Sequence, residues 1–314
     1  MSRLAVMAHF DVEGVVRPHV RGQIEALAAS VSRLVVCSTA RLRPEERAWL
    51  QERCDLVERA NYGYDFFSYK VGLAHAGDLS GYDEVIVCND SYVFAHDSYD
   101  PVFSAMAERE VDFWGLSGAR RHAPHLQSFF VAFRPWVAQS HTFRTFWNTL
   151  EPISKRRQVI RRYEIGLSQS LYDAGFVSST YFQETPHDKR VARRRVQWWA
   201  TRRAPWPHGR TEWDALRERA AEPWNPAAAM ADRILDSARL PYAKIDTLRY
   251  DPYGLDSDRL LTLCERAMPA RFAGVRDYLE ATAERYPLRD NERLHPAPAL
   301  LRPLYPLVRY TDVG

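Results

Sequence analysis

Val85-Ile86-Val87-Cys88-Asn89-Asp90-Ser91 is an apolar, β-branched run that ends abruptly in an amide and a carboxylate. Such a run is typical of a strand buried on both faces, as in a parallel sheet covered by helices. In open α/β sheets, ligands bind beyond the carboxyl ends of the strands. Asn89 and Asp90 therefore stand where a phosphate, a metal or a sugar would be held, although both residue types also suit a helix N-cap or an Asx-turn.

The segments around this stretch alternate apolar runs with helical spacing. Short apolar runs at 4–9 and 34–37 enclose a segment of helical periodicity at 20–32. This βαβ pattern implies parallel strands. Further helices are predicted over residues 44–54, 69–76, 101–109, 143–150 and 163–174, and further strands over 111–114 and 126–133. The pattern indicates an α/β fold with a mostly parallel sheet.

The character of the sequence changes after about residue 187, where strand signals fade and arginine and tryptophan become frequent. Helices are predicted from there through Tyr286, and the proline-rich residues 294–307 are predicted to form an extended arm. We therefore expect an α/β domain over residues 1–186 and a helical C-terminal extension over residues 187–314.

Composition excludes several protein classes. The chain has 314 residues, of which 46% are hydrophobic, and its net charge of +3 is too small to imply a partner. The four cysteines are scattered without CxxC spacing, so neither a disulfide framework nor a zinc site is predicted. The sequence begins without the pattern of a signal peptide, and no window approaches the ~20 apolar residues of a membrane span. These features predict a cytoplasmic protein.

A second strand end carries polar side chains of its own. His9 and Asp11 follow the first predicted strand. A histidine in such a place is more often structural than catalytic. If His9 and Asp11 met Asn89 and Asp90 at one edge of the sheet, however, the four side chains would form a ligand site.

The segment from Arg59 to Lys70 is dense in polar and aromatic side chains. Asn61 supplies turn chemistry, and Asp65 or Ser68 is placed to cap the following helix. A helix N-terminus close to Arg59 and Lys70 would suit a diphosphate. A capped turn with aromatic packing explains the same residues equally well.

Two further segments carry candidate side chains. A basic loop containing Arg120, Arg121 and His125 precedes the predicted strand at 126–133, and it suits either an anionic or sugar ligand or plain solvation. Glu164 is predicted to open an amphipathic helix that ends at Gly175. There the carboxylate either complements the helix dipole or faces a cleft as a general base.

Taken together, these segments resemble the rhamnan synthesis F-like proteins of bacterial cell-surface polysaccharide assembly. The resemblance extends from Leu4 to about Tyr286 and rests on motifs that recur in the same order and spacing. These motifs are Ala8-His9-Phe10-Asp11, Asn61-Tyr62-Gly63-Tyr64-Asp65, Tyr69-Lys70, the stretch from Tyr82 to Ser91, Asp112-Phe113-Trp114-Gly115, the stretch from His125 to Phe130, the stretch from Tyr163 to Ser168, Asn225-Pro226, the stretch from Leu240 to Lys244, and Asp251-Pro252.

The resemblance implies a glycosyltransferase with a GT-A-like nucleotide-diphosphosugar transferase fold. It implies a nucleotide-sugar donor, with rhamnose or another deoxysugar as the transferred group, and a polysaccharide or lipid-linked glycan acceptor. In this reading Glu164 is the base of an inverting transfer, and His125 and Gln127 bind the acceptor. The donor side would be lined by the polar residues identified above: His9, Asp11, Arg59, Asn61, Asp65, Lys70, Asn89 and Asp90.

The resemblance also implies a divalent metal, Mn²⁺ or Mg²⁺, on the diphosphate. The DxD-type motif of GT-A enzymes is replaced here by Cys88-Asn89-Asp90-Ser91, so only Asp90 supplies a carboxylate. A site completed by phosphate oxygens and water accommodates this departure, since both metals prefer oxygen ligands. His187 is a further metal or phosphate ligand by analogy. A metal-independent site that uses arginines is the competing interpretation.

The segment 189–210 combines arginines with tryptophans. It contains eight cations and no acidic residue. Such a combination favours an anionic membrane surface, where lipid-linked glycan acceptors are found. Nothing else in the chain supports nucleic-acid binding, and a solvated helix fits the segment as well as the membrane does.

Two other functional classes compete with the transferase. Because Asn89 stands where an aspartate is expected, the chain would also suit a non-catalytic sugar-nucleotide-binding scaffold of a polysaccharide assembly complex. A Rossmann-type oxidoreductase is disfavoured, because no GxGxxG motif follows the first strand.

Overall fold

The computed structural model describes residues 1–203, 206–288 and 293–312 of the chain. A first unit comprises residues 1–92, 96–118 and 123–181. A second unit comprises residues 93–95, 119–122 and the chain from 182 onward. The second unit thus begins five residues before the predicted boundary and also takes in two short segments of the earlier sequence.

The strands lie at β1 Arg3–His9, β2 Arg33–Ser38, β3 Asp55–Glu58, β4 Glu84–Asn89, β5 Tyr92–Phe94, β6 Phe113–Gly115, β7 Gly118–Ala119, β8 His125–Leu126, β9 Phe130–Phe133, β10 Ser178–Thr180 and β11 Tyr242–Lys244. The main sheet belongs to the first unit and has the order β10-β6-β9-β4-β1-β2-β3. β1 pairs in parallel with both β2 and β4, β2 pairs in parallel with β3, and β6 pairs in parallel with β10. The predicted α/β class with a mostly parallel sheet is confirmed.

The helices of the first unit are α1 Pro18–Ala28, α2 Pro44–Gln51, α3 Tyr64–Ala76, α4 Asp100–Ala107, α5 Pro135–Ala138, α6 His141–Thr149, α7 Arg156–Val159, a π-helical segment Ile160–Ile165 and α8 Gly166–Asp173. Their apolar faces cover the sheet, and the apolar side chains of β1 and β4 are buried. A close approach involves Gly72 of α3, where an added Cβ would lie 2.3 Å from Cγ1 of Val6 and 2.9 Å from Sγ of Cys37. Only a glycine lets α3 pack this closely on β1 and β2.

The predicted strand over residues 126–133 is wrong as a single element. The chain instead forms β8, a turn at 127–129, and then β9. β9 lies between β4 and β6 and runs antiparallel to both. Since β9 is antiparallel, the turn that precedes it lies beside the carboxyl end of β4, where the Phe129 carbonyl accepts a hydrogen bond of 3.1 Å from the Asn89 amide.

Two predicted helices begin earlier than expected. α3 begins at Tyr64 rather than near residue 69, because Gly63 adopts a left-handed conformation with φ of 77° that starts the helix without a side-chain cap. The predicted capping by Asp65 or Ser68 is therefore wrong. The helix predicted from Tyr163 begins at Arg156 and is continuous through a π-helical turn. Glu164 consequently lies inside this helix and not at its opening.

The helices of the second unit are α9 Pro186–Arg203, α10 Arg210–Ala220, α11 Pro226–Ala229, a 3₁₀ helix Ala231–Ile234, α12 Ile245–Tyr250, α13 Ser257–Ala267, α14 Pro269–Phe272, α15 Val275–Ala281 and a 3₁₀ helix Ala299–Leu307. The predicted extended arm is thus partly helical. Val308 and Tyr310, which follow the second 3₁₀ helix, are buried in the core of the unit.

A buried ion pair lies at the centre of the second unit. Arg195 of α9 donates through Nη1 to Oδ1 of Asp232 at 2.8 Å and through Nη2 to Oδ2 at 2.5 Å. Its Nε also donates to the Val308 carbonyl at 2.9 Å. Trp198, one turn further along α9, is buried and donates to the Gly254 carbonyl at 3.2 Å. These two members of the basic, tryptophan-rich segment are core residues and cannot face a membrane.

Among the described residues, no helix combines the length and the apolar character that crossing a bilayer requires.

Candidate functional site

The carboxyl ends of β1, β2 and β4 meet at one edge of the sheet. Ala8 pairs with Asn89 on β4, and His9 pairs with Ser38 on β2. Beyond these pairs, the amide of Phe10 donates to Oδ2 of Asp90 at 2.8 Å. The structure therefore brings the two polar strand ends together, because neighbouring parallel strands end on the same side.

Asp90 is a half-buried carboxyl group at this edge. Burial raises its pKa to about 7, and the negative charges of Asp65 and Asp11 act in the same direction, while the hydrogen bond from the Phe10 amide opposes them. The charge of Asp90 therefore changes close to neutral pH. A cation bound beside it would favour the ionised form.

Asn89 is buried and connects β4 to the start of α3. Its Nδ2 donates to Oδ2 of Asp65 at 2.7 Å. Its Oδ1 accepts from Oγ of Ser91 at 2.5 Å and from the Ser91 amide at 3.1 Å. Asp65 lies in the first turn of α3 and is exposed. Asp65, an exposed carboxylate, is thus held next to the strand end that carries Asp90.

The backbone at the start of α3 is strained. Tyr64 has a φ of 55°, a left-handed conformation that is rare for a bulky residue. Such conformations persist only where the surrounding structure enforces them, and they cluster at binding sites. Here Gly63 and Tyr64 together direct the first turn of α3 toward the carboxyl end of β4.

His9 and Asp11 are both buried at the edge. Burial lowers the pKa of His9 to about 4, against the opposing effect of the Asp11 charge. The imidazole is therefore neutral near pH 7, and its Nδ1 lies 3.0 Å from Oγ of Ser38. Asp11 accepts from the Glu13 amide at 2.8 Å and pairs with Nε of Arg17 at 2.7 Å. Its carboxylate thus closes the loop that follows β1.

The two cations predicted to clamp a diphosphate are bonded to the protein itself. Arg59 donates to Oγ of Ser68 at 2.7 Å and to the carbonyls of Tyr62 and Tyr64 at 2.7 and 3.0 Å. Lys70 donates to the carbonyls that end α6, at 2.9 and 2.8 Å. Burial lowers the pKa of Arg59. Both side chains hold the loop before α3 and the end of α6 in place, and Asn61 is exposed on that loop.

Glu164 lies at the same edge through its bonds to the turn at 127–129. Its Oε2 accepts from the amide of Ser128 at 3.0 Å and from its hydroxyl at 2.5 Å. The Ser128 carbonyl in turn accepts from the hydroxyl of Tyr69 at 3.0 Å. Ser128 and Tyr69 were not predicted as site residues, although both lie inside motifs on which the family resemblance rests. They fix the orientation of Glu164 relative to the end of β4.

His125 completes this group. Its Nδ1 lies 2.8 Å from the Ala123 carbonyl, an acceptor, so Nδ1 carries the proton. Its Nε2 lies 3.7 Å from Oε1 of Glu164. Gln127 faces a different neighbour, since its Oε1 accepts from Oγ of Ser117 at 2.6 Å. Of the two predicted acceptor residues, His125 contacts Glu164 directly.

The residues at this edge fit a divalent metal whose coordination is completed by the phosphates of a bound substrate. Among the described residues, no group of three or more His, Cys, Asp or Glu side chains is arranged to hold a metal ion. Asp90, with Asp65 nearby, supplies one or two carboxylates, which is what Mg²⁺ commonly takes from a protein when substrate phosphates complete its coordination. His187 lies exposed in the first turn of α9, in the second unit.

A family model described as rhamnan synthesis protein F matches residues 34–201. Protein y4gN of Sinorhizobium fredii is 30% identical over 171 residues, which cover 52% of this chain and 44% of that protein. Virulence protein VirA of Vibrio anguillarum is 32% identical over 87 residues, or 27% of each chain. The chain thus spans less than half the length of these curated relatives.

A solved structure of glucosyl-3-phosphoglycerate synthase from Mycobacterium tuberculosis superposes on 71% of this chain and 81% of its own, with 14% identity and a TM-score of 0.38. A likeness this distant assigns no activity. The family match covers the strands and helices that build the sheet edge from β2 through α8.

Proposed function

The chain belongs to the rhamnan synthesis protein F family, and from this premise we propose that it is a glycosyltransferase with a GT-A-like fold. In this proposal it moves a sugar, rhamnose or another deoxysugar, from a nucleotide-diphosphate donor. The acceptor is a cell-surface polysaccharide or a lipid-linked glycan. We further propose a cytoplasmic location, with peripheral attachment at the inner face of a membrane.

One observation carries the proposal: Asp90, Asp65 and Glu164 are brought to a single edge of the sheet. Asp65 is tied to Asn89 at 2.7 Å, and Asn89 precedes Asp90 at the end of β4. Glu164 is tied to Ser128 in the turn beside the same strand end. Carboxylates for a diphosphate-bound cation and a carboxylate for proton removal are the two sets of groups that glycosyl transfer needs.

Glu164 would act as the base of an inverting transfer. The acceptor oxygen forms a bond to the anomeric carbon while the bond from that carbon to the diphosphate oxygen breaks. The nucleoside diphosphate leaves with the bonding electron pair, and the acceptor proton passes to the Glu164 carboxylate. The two hydrogen bonds from Ser128 hold Oε2 in place, and Oε1 faces His125.

Asp90 and Asp65 would hold the donor diphosphate through a divalent cation. When bound, Mn²⁺ or Mg²⁺ would neutralise the charge that develops on the leaving diphosphate. Ionised Asp90 is the form that binds a cation, so nucleotide binding should strengthen as the pH rises through about 7. Asp11 and His9 would support this region from beneath, since both are buried and bonded to the protein.

The non-catalytic scaffold remains the second candidate, favoured by one contact. The side chain of Asn89, which occupies the place of a motif aspartate, is engaged by Asp65 and Ser91. A chain that only binds a sugar nucleotide would need no base. The two candidates therefore differ in what happens when Glu164 is changed.

The deciding experiment is calorimetric binding of a panel of nucleoside diphosphates, with and without Mn²⁺. The variants are wild type, Asp90→Ala and Asp173→Asn, the last removing an exposed carboxylate at the end of α8. We expect one nucleotide to bind selectively, and its binding should require both the metal and Asp90. Its affinity for the Asp173→Asn control should equal its affinity for wild type. Metal-independent binding would contradict the cation-mediated site, and failure to bind any nucleotide would refute the donor site itself.

A further inference from the structure

The 3₁₀ helix Ala299–Leu307 displays an unusual apolar surface. Leu300 is 79% exposed, Leu304 47% and Leu307 71%. We call these three side chains the leucine edge. Pro303 and Pro306 lie between them and are exposed as well. Large apolar side chains grouped on one exposed element mark an interaction surface more often than isolated ones do.

The leucine edge is mounted on an ordered part of the second unit. Tyr305, in the same 3₁₀ helix, stacks on Trp198 with ring centroids 5.4 Å apart. Directly beyond the helix, Tyr310 is buried and its hydroxyl donates to the Ala228 carbonyl at 2.5 Å. Before the helix, the His295 amide donates to the Arg202 carbonyl at 2.7 Å. The leucines are therefore presented by a fixed scaffold.

The sequence that carries the leucine edge is basic. Residues 293–311 contain three arginines and no acidic residue, and residues 189–203 contain no acidic residue and six cations besides the buried Arg195. The two stretches meet, since Nε of Arg202 donates to the His295 carbonyl at 3.0 Å. Arg302 lies within the 3₁₀ helix and is exposed. Exposed leucines among arginines match an interface between anionic lipid headgroups and acyl chains.

We propose that the leucine edge docks this protein on an anionic membrane surface. The three leucines enter the boundary between headgroups and acyl chains, and the surrounding arginines contact the lipid phosphates. A second copy of the chain is a poorer partner, because pairing two such surfaces would set arginines against arginines. The surface belongs to the second unit, and the proposal rests on the membrane attachment proposed above but not on the transferase activity.

The test is co-sedimentation of the full chain with vesicles of phosphatidylcholine, with or without one third phosphatidylglycerol. The test variant carries Leu300→Ser, Leu304→Ser and Leu307→Ser. The control carries Val177→Ser, which removes an exposed apolar side chain of the first unit. All four side chains are exposed, so both variants should keep the wild-type unfolding temperature.

We expect wild type and control to bind the anionic vesicles and the leucine variant to bind at least about tenfold more weakly, given the apolar area withdrawn from the bilayer. Arg302→Glu should weaken binding by roughly fivefold or more, and added salt should do the same. Nucleoside diphosphate binding should be unchanged in every variant, which separates this proposal from the donor site.

Three results would overturn the proposal. The first is equal binding of wild type and leucine variant to anionic vesicles. The second is equal binding of wild type to neutral and anionic vesicles. The third is wild-type self-association that disappears in the leucine variant, measured by sedimentation velocity, without any vesicle binding, which would assign the surface to a second copy of the chain.

Discussion

Replacing Asp90 by asparagine should change how the stability of the protein depends on pH. The pKa of this carboxyl is raised from 3.8 to about 7 in the folded chain, because burial penalises its charge. A group whose folded pKa is raised stabilises the fold fully below its unfolded pKa, and that stability is lost as the pH rises through the folded pKa. Asparagine has the shape of the neutral acid and can still accept the hydrogen bond from the Phe10 amide.

The size of the effect follows from these two pKa values. A carboxyl that titrates at 3.8 when unfolded and about 7 when folded loses about 2.7 kcal/mol of stabilisation between pH 5 and pH 8. Because Asp90 is only half-buried, solvent screening reduces this figure, and we expect about 2 kcal/mol. The stability of Asp90→Asn relative to wild type should therefore rise by about 2 kcal/mol over that range.

The assay is urea denaturation at pH 5, 6, 7 and 8 in the presence of a chelator, followed by circular dichroism. The Asp173→Asn variant, which removes an exposed carboxylate, controls for general charge effects. Its free energy of unfolding should change with pH in the same way as that of wild type. If the free energy of unfolding of Asp90→Asn changes with pH as that of wild type does, within about 0.5 kcal/mol, the burial of an ionisable Asp90 is refuted.

Three further substitutions test the site and the two cores. Glu164→Gln should lower kcat about 10²- to 10⁴-fold with nucleotide binding preserved, measured as release of nucleoside diphosphate in the presence of acceptor. Gly72→Ala should destabilise the first unit by about 1–3 kcal/mol in urea denaturation, because the new methyl group would overlap Val6 at 2.3 Å. Arg195→Ala should cost about 3–5 kcal/mol in the second unit, because it leaves the buried Asp232 carboxylate without its partner.

Each of these substitutions has a matched control. Glu151→Gln alters an exposed carboxylate and should leave turnover intact. Gly81→Ala adds a methyl group with no neighbour within 4 Å and should leave stability unchanged. Arg194→Ala removes an exposed cation next to Arg195 and should have little effect on unfolding. Full turnover in Glu164→Gln would contradict its role as the base, whereas nucleotide binding by wild type without any turnover would favour the scaffold. Wild-type stability in Gly72→Ala or Arg195→Ala would contradict the packing described.

Local sequence patterns predicted the interior of the sheet well and its edges poorly. β1, β2 and β4 follow their apolar runs to within a residue or two, because strands buried on both faces need continuous apolar side chains. β3 was not predicted, since its sequence Asp55-Leu56-Val57-Glu58 is short and half charged. The early start of α3 also escaped prediction, because it depends on the left-handed conformation of Gly63 and Tyr64 rather than on any capping side chain.

The same division applies to the candidate site. The sequence identified Asn89 and Asp90, and it placed polar residues after two predicted strands, because position at a strand end can be read from the end of an apolar run. It did not show that Arg59 and Lys70 donate to internal carbonyls. The Lys70 bond joins segments that are distant in the chain, and the Arg59 bond depends on the conformation of the loop before α3, so neither leaves a periodic signal in the sequence.

The α/β class, the parallel strands and the residues at their carboxyl ends could be predicted from the sequence, since each of these depends on side chains adjacent in the chain. Tertiary structure alone decided that β9 enters the sheet antiparallel between β4 and β6, which carries Ser128 and hence Glu164 to the Asp90 edge. It also decided that Arg195 is buried while the leucines of residues 299–307 are exposed, reversing what their side-chain chemistry predicts. Burial is a property of the assembled chain, because it depends on which surfaces the other segments cover.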